Sequence, residues 1–237
     1  MSGGVRKALW IAACLAGLAL IYVAWELISA CSYGELTRDE LDKAAGNGVT
    51  RLMIVAHPDD ETIWGGGHLS DGGYLVLCVT DGKNATRSAE FENAVTASGN
   101  SFVILDYPDK TLFRRNKWRH CMKDIKADVD TALAYRDWEL VVTHNPDGEY
   151  GHEHHKMLSA AVTEEYDRLG CTAPLYYFGH YYTEDELEAL SEKPEALSDE
   201  RLAKKREALT AYTSQSDVVE NLSHMQPYEC WTLYGGK

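Results

Sequence analysis

The stretch Leu52–Glu61, which reads LMIVAHPDDE, joins four apolar residues to a group of ionisable side chains. The apolar part has the length and composition of a buried β-strand. His57, Asp59, Asp60 and Glu61 follow where the strand should give way to a loop. Unpaired carboxylates and imidazoles are costly to bury, and a cation relieves that cost because it turns repelling carboxylates into ligands. The stretch therefore predicts a strand followed either by a metal site or by a solvated acidic loop.

Strand and helix patterns alternate along the chain on both sides of this stretch. Short runs rich in β-branched or aromatic residues predict five strands, at Arg51–Ala56, Tyr74–Thr80, Phe102–Leu105, Leu140–Thr143 and Pro174–Tyr181. Longer stretches predict helices at Arg87–Ser98, Trp118–Tyr135, Glu153–Leu169, Thr183–Leu190 and Ser198–Tyr212. Thr183 and Ser198 are suitable N-caps for the last two. The alternation predicts an α/β fold with a mostly parallel sheet and helices on both faces.

Two strand ends carry the polar residues of a candidate site. In such a sheet, ligands bind beyond the carboxyl ends of the strands, where neighbouring connections diverge. His57–Glu61 follow the first strand, and the turn sequence Asn145–Gly151 follows the fourth. The turn leads into the helical segment His152–His155, which reads HEHH.

Histidine spacing suggests how these two ends combine. Residues three apart share a helix face, so His152 and His155 are expected to point at one spot, whereas His154 is rotated towards solvent or a supporting contact. His57 and Asp60 are also three apart. Each pair alone has an ordinary structural interpretation, as hydrogen-bonding or capping residues at a helix start.

Taken together, the two ends predict a metal centre. His57, Asp60 and His155 would supply two imidazoles and one carboxylate and leave a position open for water, which is typical of catalytic zinc. Asp59 and His152 would remain for acid–base chemistry. Two histidines and one carboxylate also form the facial triad of Fe²⁺ oxygenases, although an oxygenase has no need of the additional Asp59.

Composition limits the possible partners. The chain has 237 residues, with 23 Lys and Arg against 37 Asp and Glu, and a formal net charge of −14. This balance argues against nucleic-acid binding, which needs clustered cations. The 6 cysteines include no CxxC spacing, so neither a zinc knuckle nor a redox dithiol is supported. The sequence does not determine the oligomeric state.

The N-terminus has the pattern of a membrane segment. Arg6 and Lys7 precede the uncharged run Ala8–Trp25, which as a helix of ~27 Å is just long enough to cross a bilayer. Ile28–Cys31 is similar to a bacterial lipobox, so the alternatives are a retained signal anchor and a lipidated, cleaved signal. We expect this segment to occupy residues 1–30, followed by a linker over 31–48 and a catalytic domain over 49–237. The positive-inside rule predicts an extracytoplasmic catalytic domain.

The motifs resemble those of the PIG-L (LmbE-like) de-N-acetylase family. The resemblance is carried by Ala56–Glu61, by Gly151-His152 and by His155. Weaker matches are Arg87 with Glu90, Tyr107–Asp109, and Lys205–Leu209 through Ser214-Gln215. The similarity spans about Arg51 to Gln215.

The resemblance implies a Rossmann-like fold and a zinc-dependent hydrolase, and the ligand pattern itself leaves Fe²⁺ as an alternative metal. The expected substrate is an N-acetylglucosamine-type amino sugar in a glycoconjugate, glycolipid or envelope glycan. The resemblance also implies that His57, Asp60 and His155 ligate zinc and that Asp59 is the general base. His152, when protonated, would stabilise the oxyanion or act as an acid. Tyr150 would line the pocket, and Arg87 and Asp109 would contact the substrate. A membrane-anchored glycan-binding module without activity is the non-enzymatic alternative.

Overall fold

The computed structural model describes residues 3–29, 33–46 and 48–235. Its helices are α1 (Gly3–Ser29), α2 (Arg38–Ala44), α3 (Asp60–Leu69), α4 (Ala85–Ala97), α5 (Met122–Leu133), α6 (Glu153–Leu169), α7 (Glu184–Ala189), α8 (Asp199–Leu209) and α9 (Ser216–Asn221). Its strands are β1 (Arg51–Val55), β2 (Tyr74–Thr80), β3 (Ser101–Tyr107), β4 (Lys110–Thr111), β5 (Arg114–Arg115), β6 (Leu140–Thr143), β7 (Leu175–Tyr177) and β8 (Thr232–Leu233). Short 3₁₀ turns cover Thr213–Gln215 and Ser223–Met225.

One mixed sheet organises the fold, in the order β3-β2-β1-β6-β7-β8. The first five strands of this order pair in parallel, and β8 is antiparallel to β7. The chain runs outward from β1 to β3 and then returns to the other side of β1, where β6 and β7 pair. Successive connections therefore diverge between β1 and β6, which is the position where open α/β sheets bind ligands.

Helices cover both faces of the sheet. Side chains alternate across a strand, so Leu52 and Ile54 of β1 belong to one core, with α2, α5 and α6. Met53 and Val55 belong to the other core, with α3, α4 and α8. The structure thus confirms the predicted α/β architecture with a mostly parallel sheet.

The N-terminal helix α1 stands apart from these two cores. Its segment Gly4–Trp25 spans 22 residues with a mean hydropathy of 2.1, and none of it is buried. Length and composition suit a membrane span, and a signal sequence has the same properties. Ala30 and Cys31 of the lipobox-like segment lie outside the described residues. Within the expected linker, Leu36 and Leu41 are buried against the domain, and the latter belongs to α2.

The elements that the sequence patterns did not predict lack the usual signals. Helix α3 contains three consecutive glycines, Gly65–Gly67, which disfavour helix by propensity. They serve close packing, because a Cβ on Gly66 would lie 2.8 Å from Cγ of Lys205 in α8. The β4–β5 hairpin turns through Leu112 and Phe113, both with positive φ, instead of the usual Asn-Gly. Helix α5 begins at Met122, four residues after its predicted start.

A buried ion pair joins α8 to the C-terminal segment and α3. Lys205 Nζ lies 2.8 Å from Glu229 Oε1, and both side chains are fully buried. Glu229 also accepts hydrogen bonds from the backbone N–H groups of Gly67 and His68. Burial opposes ionisation of Glu229, but Lys205 and His68 lower its pKa to about 2. The pair therefore holds the C-terminal end of α3 in place.

We predict that Lys205→Met lowers the free energy of unfolding by about 3 kcal/mol or more, because it leaves Glu229 as a buried charge without its cation. The double variant Lys205→Met/Glu229→Gln removes both charges and should recover most of that loss. Urea denaturation of the wild type, each single variant and the double variant measures the difference. Equal losses in the single and the double variant would contradict the role of the uncompensated charge.

Candidate metal centre

The candidate site lies where β1 and β6 end side by side. The two strands pair in parallel, with Ile54 opposite Thr143, so the segments that follow them leave the sheet together. Helix α3 begins at Asp60, and α6 begins after its N-cap His152. The turn between β6 and α6 needs Gly148, whose φ is 69° and whose added Cβ would lie 2.5 Å from the carbonyl oxygen of His152.

Two imidazoles and one carboxylate converge at this position. Asp60 Oδ2 lies 3.1 Å from His57 Nδ1, and Asp60 Oδ1 lies 3.3 Å from His155 Nε2. All three residues are buried, and each offers a ligand atom within 4.8 Å of the others. His155 Nε2 is buried without a hydrogen-bond partner among the described residues. An unpartnered nitrogen facing a carboxylate fits a divalent cation between them.

Glu149 fixes the orientation of His155 from behind. Its Oε2 lies 2.5 Å from His155 Nδ1 and 3.1 Å from His144 Nδ1. Because the backbone N–H of Ala56 donates to His144 Nε2 at 2.9 Å, His144 carries its proton on Nδ1 and donates it to Glu149. The same carboxylate holds the Nδ1 proton of His155, which leaves Nε2 free for a metal.

His154 fixes the tautomer of His57 in a similar way. A backbone carbonyl only accepts, so the 2.6 Å contact between His154 Nε2 and the Asn116 oxygen places a proton on that nitrogen. His154 Nδ1 then accepts from His57 Nε2 at 3.0 Å. His57 therefore has Nδ1 available on the side of Asp60. Of the two positions expected for His154, solvent or a supporting contact, the structure shows the supporting contact. The ring is fully buried against Trp118.

Two other groups in the described part of the chain have the spacing of metal ligands, but some of their ligand atoms are already engaged in hydrogen bonds. They are His57-His152-His154 and His144-Glu149-His155. Both ring nitrogens of His154 are engaged, as are both ring nitrogens of His144. The group with free ligand atoms is the one that contains Asp60.

Charges in the site follow from burial and from these neighbours. Burial opposes ionisation of Asp60, but the adjacent imidazoles of His155 and His144 hold its pKa well below the usual range. Burial also opposes protonation of His57, yet hydrogen bonds to Asp109 and Asp60 raise its pKa to about 10. Without a metal the site holds a proton at His57, and metal binding at Nδ1 would release it.

Asp59 lies beside the three ligands but is held differently. It is the N-cap residue of α3 with φ 120° and ψ −32°, and its side chain makes no capping hydrogen bond. A non-glycine residue in this region is strained, and such strain is commonly found at functional sites. Burial and the neighbouring charge of Asp60 raise the pKa of Asp59 well above its usual value. Arg87 Nη2 lies 3.4 Å from Asp59 Oδ1 and opposes that rise.

Glu61 has a structural role. It is fully buried and accepts hydrogen bonds from the Tyr212 hydroxyl, the Thr62 hydroxyl and the Asp59 N–H. These contacts join the start of α3 to the segment after α8 and help to hold the backbone of Asp59. In the first motif, His57 and Asp60 are thus the ligand candidates, Asp59 is a carboxylate outside the ligand set, and Glu61 supports the backbone.

His152 and Tyr150 lie on the open side of the site. The His152 ring centroid is 4.7 Å from that of His57 and 4.2 Å from that of His155. Burial and the proximity of His155 and His57 lower the pKa of His152 to about 2. Burial therefore works against a protonated His152 when no metal is bound, and the protonation state expected from the sequence stays a prediction. Tyr150 is 45% exposed at the rim, and burial of its hydroxyl raises its pKa.

A cavity of about 460 Å³ opens over the site. It is lined by His57, Asp59, Asp60, Ile63, Trp64, Arg87, Asp109, Lys110, Arg115, Tyr150, Gly151, His152, Gln215, Val218 and Leu222. Of the residues expected at the site, His155 lies behind this lining, and the other seven contribute to it. Asp109 Oδ1 lies 3.5 Å from His57 Nε2, so this carboxylate also contacts a ligand candidate.

The supporting residues His144 and Glu149 were not predicted, whereas a supporting contact was one of the two positions expected for His154. His144 follows β6 directly, and Glu149 lies within the turn before the HEHH segment. A polar residue at a strand's carboxyl end was the signal available for His144. Nothing local marks Glu149 as the partner of two imidazoles, because their contact depends on how the turn folds back.

Comparison with known proteins gives a consistent picture. Residues 52–166 match the model of the PIG-L family, described as GlcNAc-PI de-N-acetylase. An uncharacterised protein, L374 of Acanthamoeba polyphaga mimivirus, is 32% identical over 126 residues, which cover 46% of this chain. The chain spans about half the length of this curated relative, with 54% of it covered.

Solved structures share the fold at low sequence identity. The A40926 pseudoaglycone deacetylase Dbv21 has a TM-score of 0.58 at 20% identity, covering 73% of this chain and 85% of its own. The N,N'-diacetylchitobiose deacetylase from Pyrococcus horikoshii has a TM-score of 0.57 at 17% identity, covering 83% and 89%. The conserved protein TT1542 from Thermus thermophilus has a TM-score of 0.55 at 17% identity, covering 75% and 86%.

These structural neighbours share a fold with the chain. The matched segment 52–166 contains the first motif, the β6–α6 turn and the HEHH segment, and so includes every candidate ligand described above. This segment, just under half of the chain, is therefore similar to the PIG-L family.

Proposed function

We propose that this protein is a metal-dependent hydrolase that removes the acetyl group from an N-acetylglucosamine-type amino sugar. The observation that carries the proposal is the convergence of His57, Asp60 and His155 beside a carboxylate, Asp59, that is not needed as a ligand. Metal-assisted hydrolysis of an amide uses both a metal and a nearby base, whereas binding alone requires neither. The match of residues 52–166 to the PIG-L family model supports the same chemistry.

His57, Asp60 and His155 would hold the metal, and zinc suits three such ligands with an open position. The same donors also suit Fe²⁺. When bound, the metal would polarise the acetamide carbonyl and lower the pKa of water. Glu149 would keep His155 oriented, and His154 would keep His57 in its ligand tautomer.

Asp59 would act as the general base. Its carboxylate lines the cavity next to the ligands, and its raised pKa makes it a stronger base than an exposed aspartate. It would take a proton from the attacking water as the carbon–oxygen bond forms. As the carbon–nitrogen bond breaks, the same proton would pass to the leaving amine. The products are then acetic acid, which ionises to acetate, and the free amine. Arg87 holds the carboxylate in place at 3.4 Å.

His152 would stabilise the developing oxyanion as a neutral hydrogen-bond donor. Its Nδ1 is buried and has no partner among the described residues, so its ring protons are not all committed within the protein. A low pKa keeps the ring neutral and allows one N–H to donate to the carbonyl oxygen. Tyr150 would line the same side of the substrate, with its ring 6.0 Å from that of His152.

The cavity supports an amino-sugar substrate. Its volume of about 460 Å³ lies in the usual range for small-ligand sites, about 300–1,000 Å³. Arg87, Asp109 and Gln215 offer hydrogen bonds for hydroxyl groups, and Trp64 and Tyr150 offer aromatic faces. A glycoconjugate, a glycolipid and an envelope glycan all carry such a sugar.

The N-terminal segment would anchor this domain to a membrane. We assign residues 1–30 to the anchor or signal and 49–237 to the catalytic domain. Arg6 and Lys7, which precede the apolar run, favour a cytoplasmic N-terminus and an extracytoplasmic catalytic domain.

Acetate release tests the proposal directly. Purified full-length protein, loaded with zinc, is incubated with N-acetylglucosamine, its lipid-linked and phosphate-linked conjugates and oligomeric N-acetylglucosamine, and products are identified by mass spectrometry. We expect acetate and a free amine from at least one compound, lost on chelation and restored by zinc. Oxygen uptake with Fe²⁺ and no acetate release would instead support an oxygenase.

We predict that Asp59→Asn lowers kcat by at least about 100-fold, because general-base catalysis typically contributes that much or more. Its metal content, measured by elemental mass spectrometry, should equal that of the wild type. The matched control is Asp147→Asn, which changes an exposed aspartate of the β6–α6 turn and should leave kcat unchanged. Turnover of Asp59→Asn at the wild-type rate would eliminate the general-base role.

His152 and His155 should separate by metal binding. We expect His152→Ala to retain metal and lose about 100- to 1,000-fold in kcat, which is the usual effect of removing an oxyanion donor. His155→Ala should lose the metal itself. Elemental analysis measures the metal content of the two variants, and single-turnover kinetics measures their chemical step. Loss of metal from His152→Ala would show that His152 is a ligand and would contradict its assignment as an oxyanion donor.

Glu149→Gln should weaken metal binding by about 10- to 100-fold, because it removes the carboxylate that orients His155. Competition with a chromophoric chelator measures the affinity without relying on activity. Glu153→Gln, at an exposed position in the first turn of α6, is the matched control and should bind metal like the wild type. Unchanged affinity in Glu149→Gln would show that the contact does not support the ligand.

A further inference from the structure

A basic segment, defined here as residues 110–123, interrupts an otherwise acidic chain. It contains no Asp or Glu and carries six cations, Lys110, Arg114, Arg115, Lys117, Arg119 and Lys123, in a protein with a net charge of −14. All six are exposed. Among the described residues, only Lys110 of these six has an ion pair, at 3.9 Å from Asp109. An exposed cluster of unpaired cations fits an anionic partner.

The tip of the β4–β5 hairpin presents an apolar side chain within this segment. Phe113 is 87% exposed. Phe113 and Leu112 both have positive φ, which is unfavourable for residues with large side chains. Thr111 pairs with Arg114, so Leu112 and Phe113 form the whole turn between two short strands that carry Lys110, Arg114 and Arg115. A phenylalanine on a basic hairpin is suited to a surface that is anionic outside and apolar beneath.

The position of the hairpin relative to α1 identifies that surface. The Phe113 ring lies 6.2 Å from that of Tyr22, which is near the end of the candidate span Gly4–Trp25. Tyrosine and tryptophan near the end of a span usually lie at the level of the lipid headgroups. Tyr33, only eight residues after Trp25, is already packed on the domain, with its hydroxyl 2.6 Å from Asp124. A retained α1 therefore holds the hairpin close to the bilayer surface.

We propose that the basic segment docks the catalytic domain on the membrane by binding anionic lipid headgroups, with Phe113 inserted among them. Lys and Arg residues close to a membrane are attracted by anionic lipids within about a Debye length, roughly 10 Å at 0.1 M salt. Lys110 and Arg115 belong to both the basic segment and the lining of the cavity. Docking through this segment therefore brings the mouth of the cavity to the lipid surface. This inference goes beyond the proposed deacetylation and does not depend on it.

Trypsin provides a test because the basic segment is itself a set of trypsin sites. Full-length protein is reconstituted in nanodiscs of phosphatidylcholine alone, or of equimolar phosphatidylcholine and phosphatidylglycerol. Cleavage within residues 110–123 is followed by mass spectrometry and compared with cleavage after Arg168, at the C-terminal end of α6. We expect about tenfold slower cleavage of the basic segment on the anionic discs, with less protection at high salt.

Phe113→Ser tests the tip without changing any trypsin site or any side chain of the cavity lining. Because Phe113 is 87% exposed, the substitution leaves the core intact. We expect most of the protection to be lost. Leu233→Ser is the matched control, since Leu233 is 47% exposed on β8 at the opposite edge of the sheet, and it should keep the protection.

Three results would overturn the proposal. The first is equal cleavage of the basic segment on the two kinds of disc. The second is protection that is unaffected by Phe113→Ser. The third is protection by single-stranded DNA on phosphatidylcholine discs with none from anionic lipid, which would identify a nucleic-acid surface instead.

Discussion

The parallel pairing of β1 with β6 is the constraint on which the rest of the site depends. It places the segments after Val55 and Thr143 next to each other, although they are separated by more than eighty residues of chain. Side chains reinforce the pairing, since the Thr143 hydroxyl donates to the Ile54 carbonyl at 2.8 Å. Beyond the strands, the Ala56 N–H donates to His144 and extends the connection into the site. The carboxylate of one segment and the imidazoles of the other therefore meet without a long loop.

Burial of so many ionisable groups is stable only because each has a defined partner. An isolated buried charge costs several kcal/mol, whereas a paired and hydrogen-bonded one costs much less. Glu149 serves two histidines, His154 connects His57 to a backbone carbonyl, and Glu61 is satisfied by hydroxyls and an N–H. His155 Nε2 remains unpartnered. His152 Nδ1 is also unpartnered among the described residues, so the open hydrogen-bonding positions of these histidines lie where a cation and a substrate would bind.

Much of the fold was predictable because it follows from local patterns. The apolar runs predicted the five parallel strands, and Thr183 and Ser198 do accept the N-capping hydrogen bonds expected of them. The failures are equally physical. Gly65–Gly67 suppress the helical signal of α3 but allow it to pack closely on Lys205. Strand β8 has only two residues, and its formation depends on pairing with β7.

The sequence by itself determined the parallel α/β architecture, the candidate ligands His57, Asp60 and His155, and the separate role expected of Asp59, because these depend on residue type and short-range spacing. Only the tertiary structure decided which nitrogen of each imidazole is free. That choice depends on Glu149, His154 and the Asn116 carbonyl, whose contacts arise from the folding of distant segments. Tertiary structure also lowers the pKa of His152, since its burial and its proximity to His155 and His57 are properties of the assembled site.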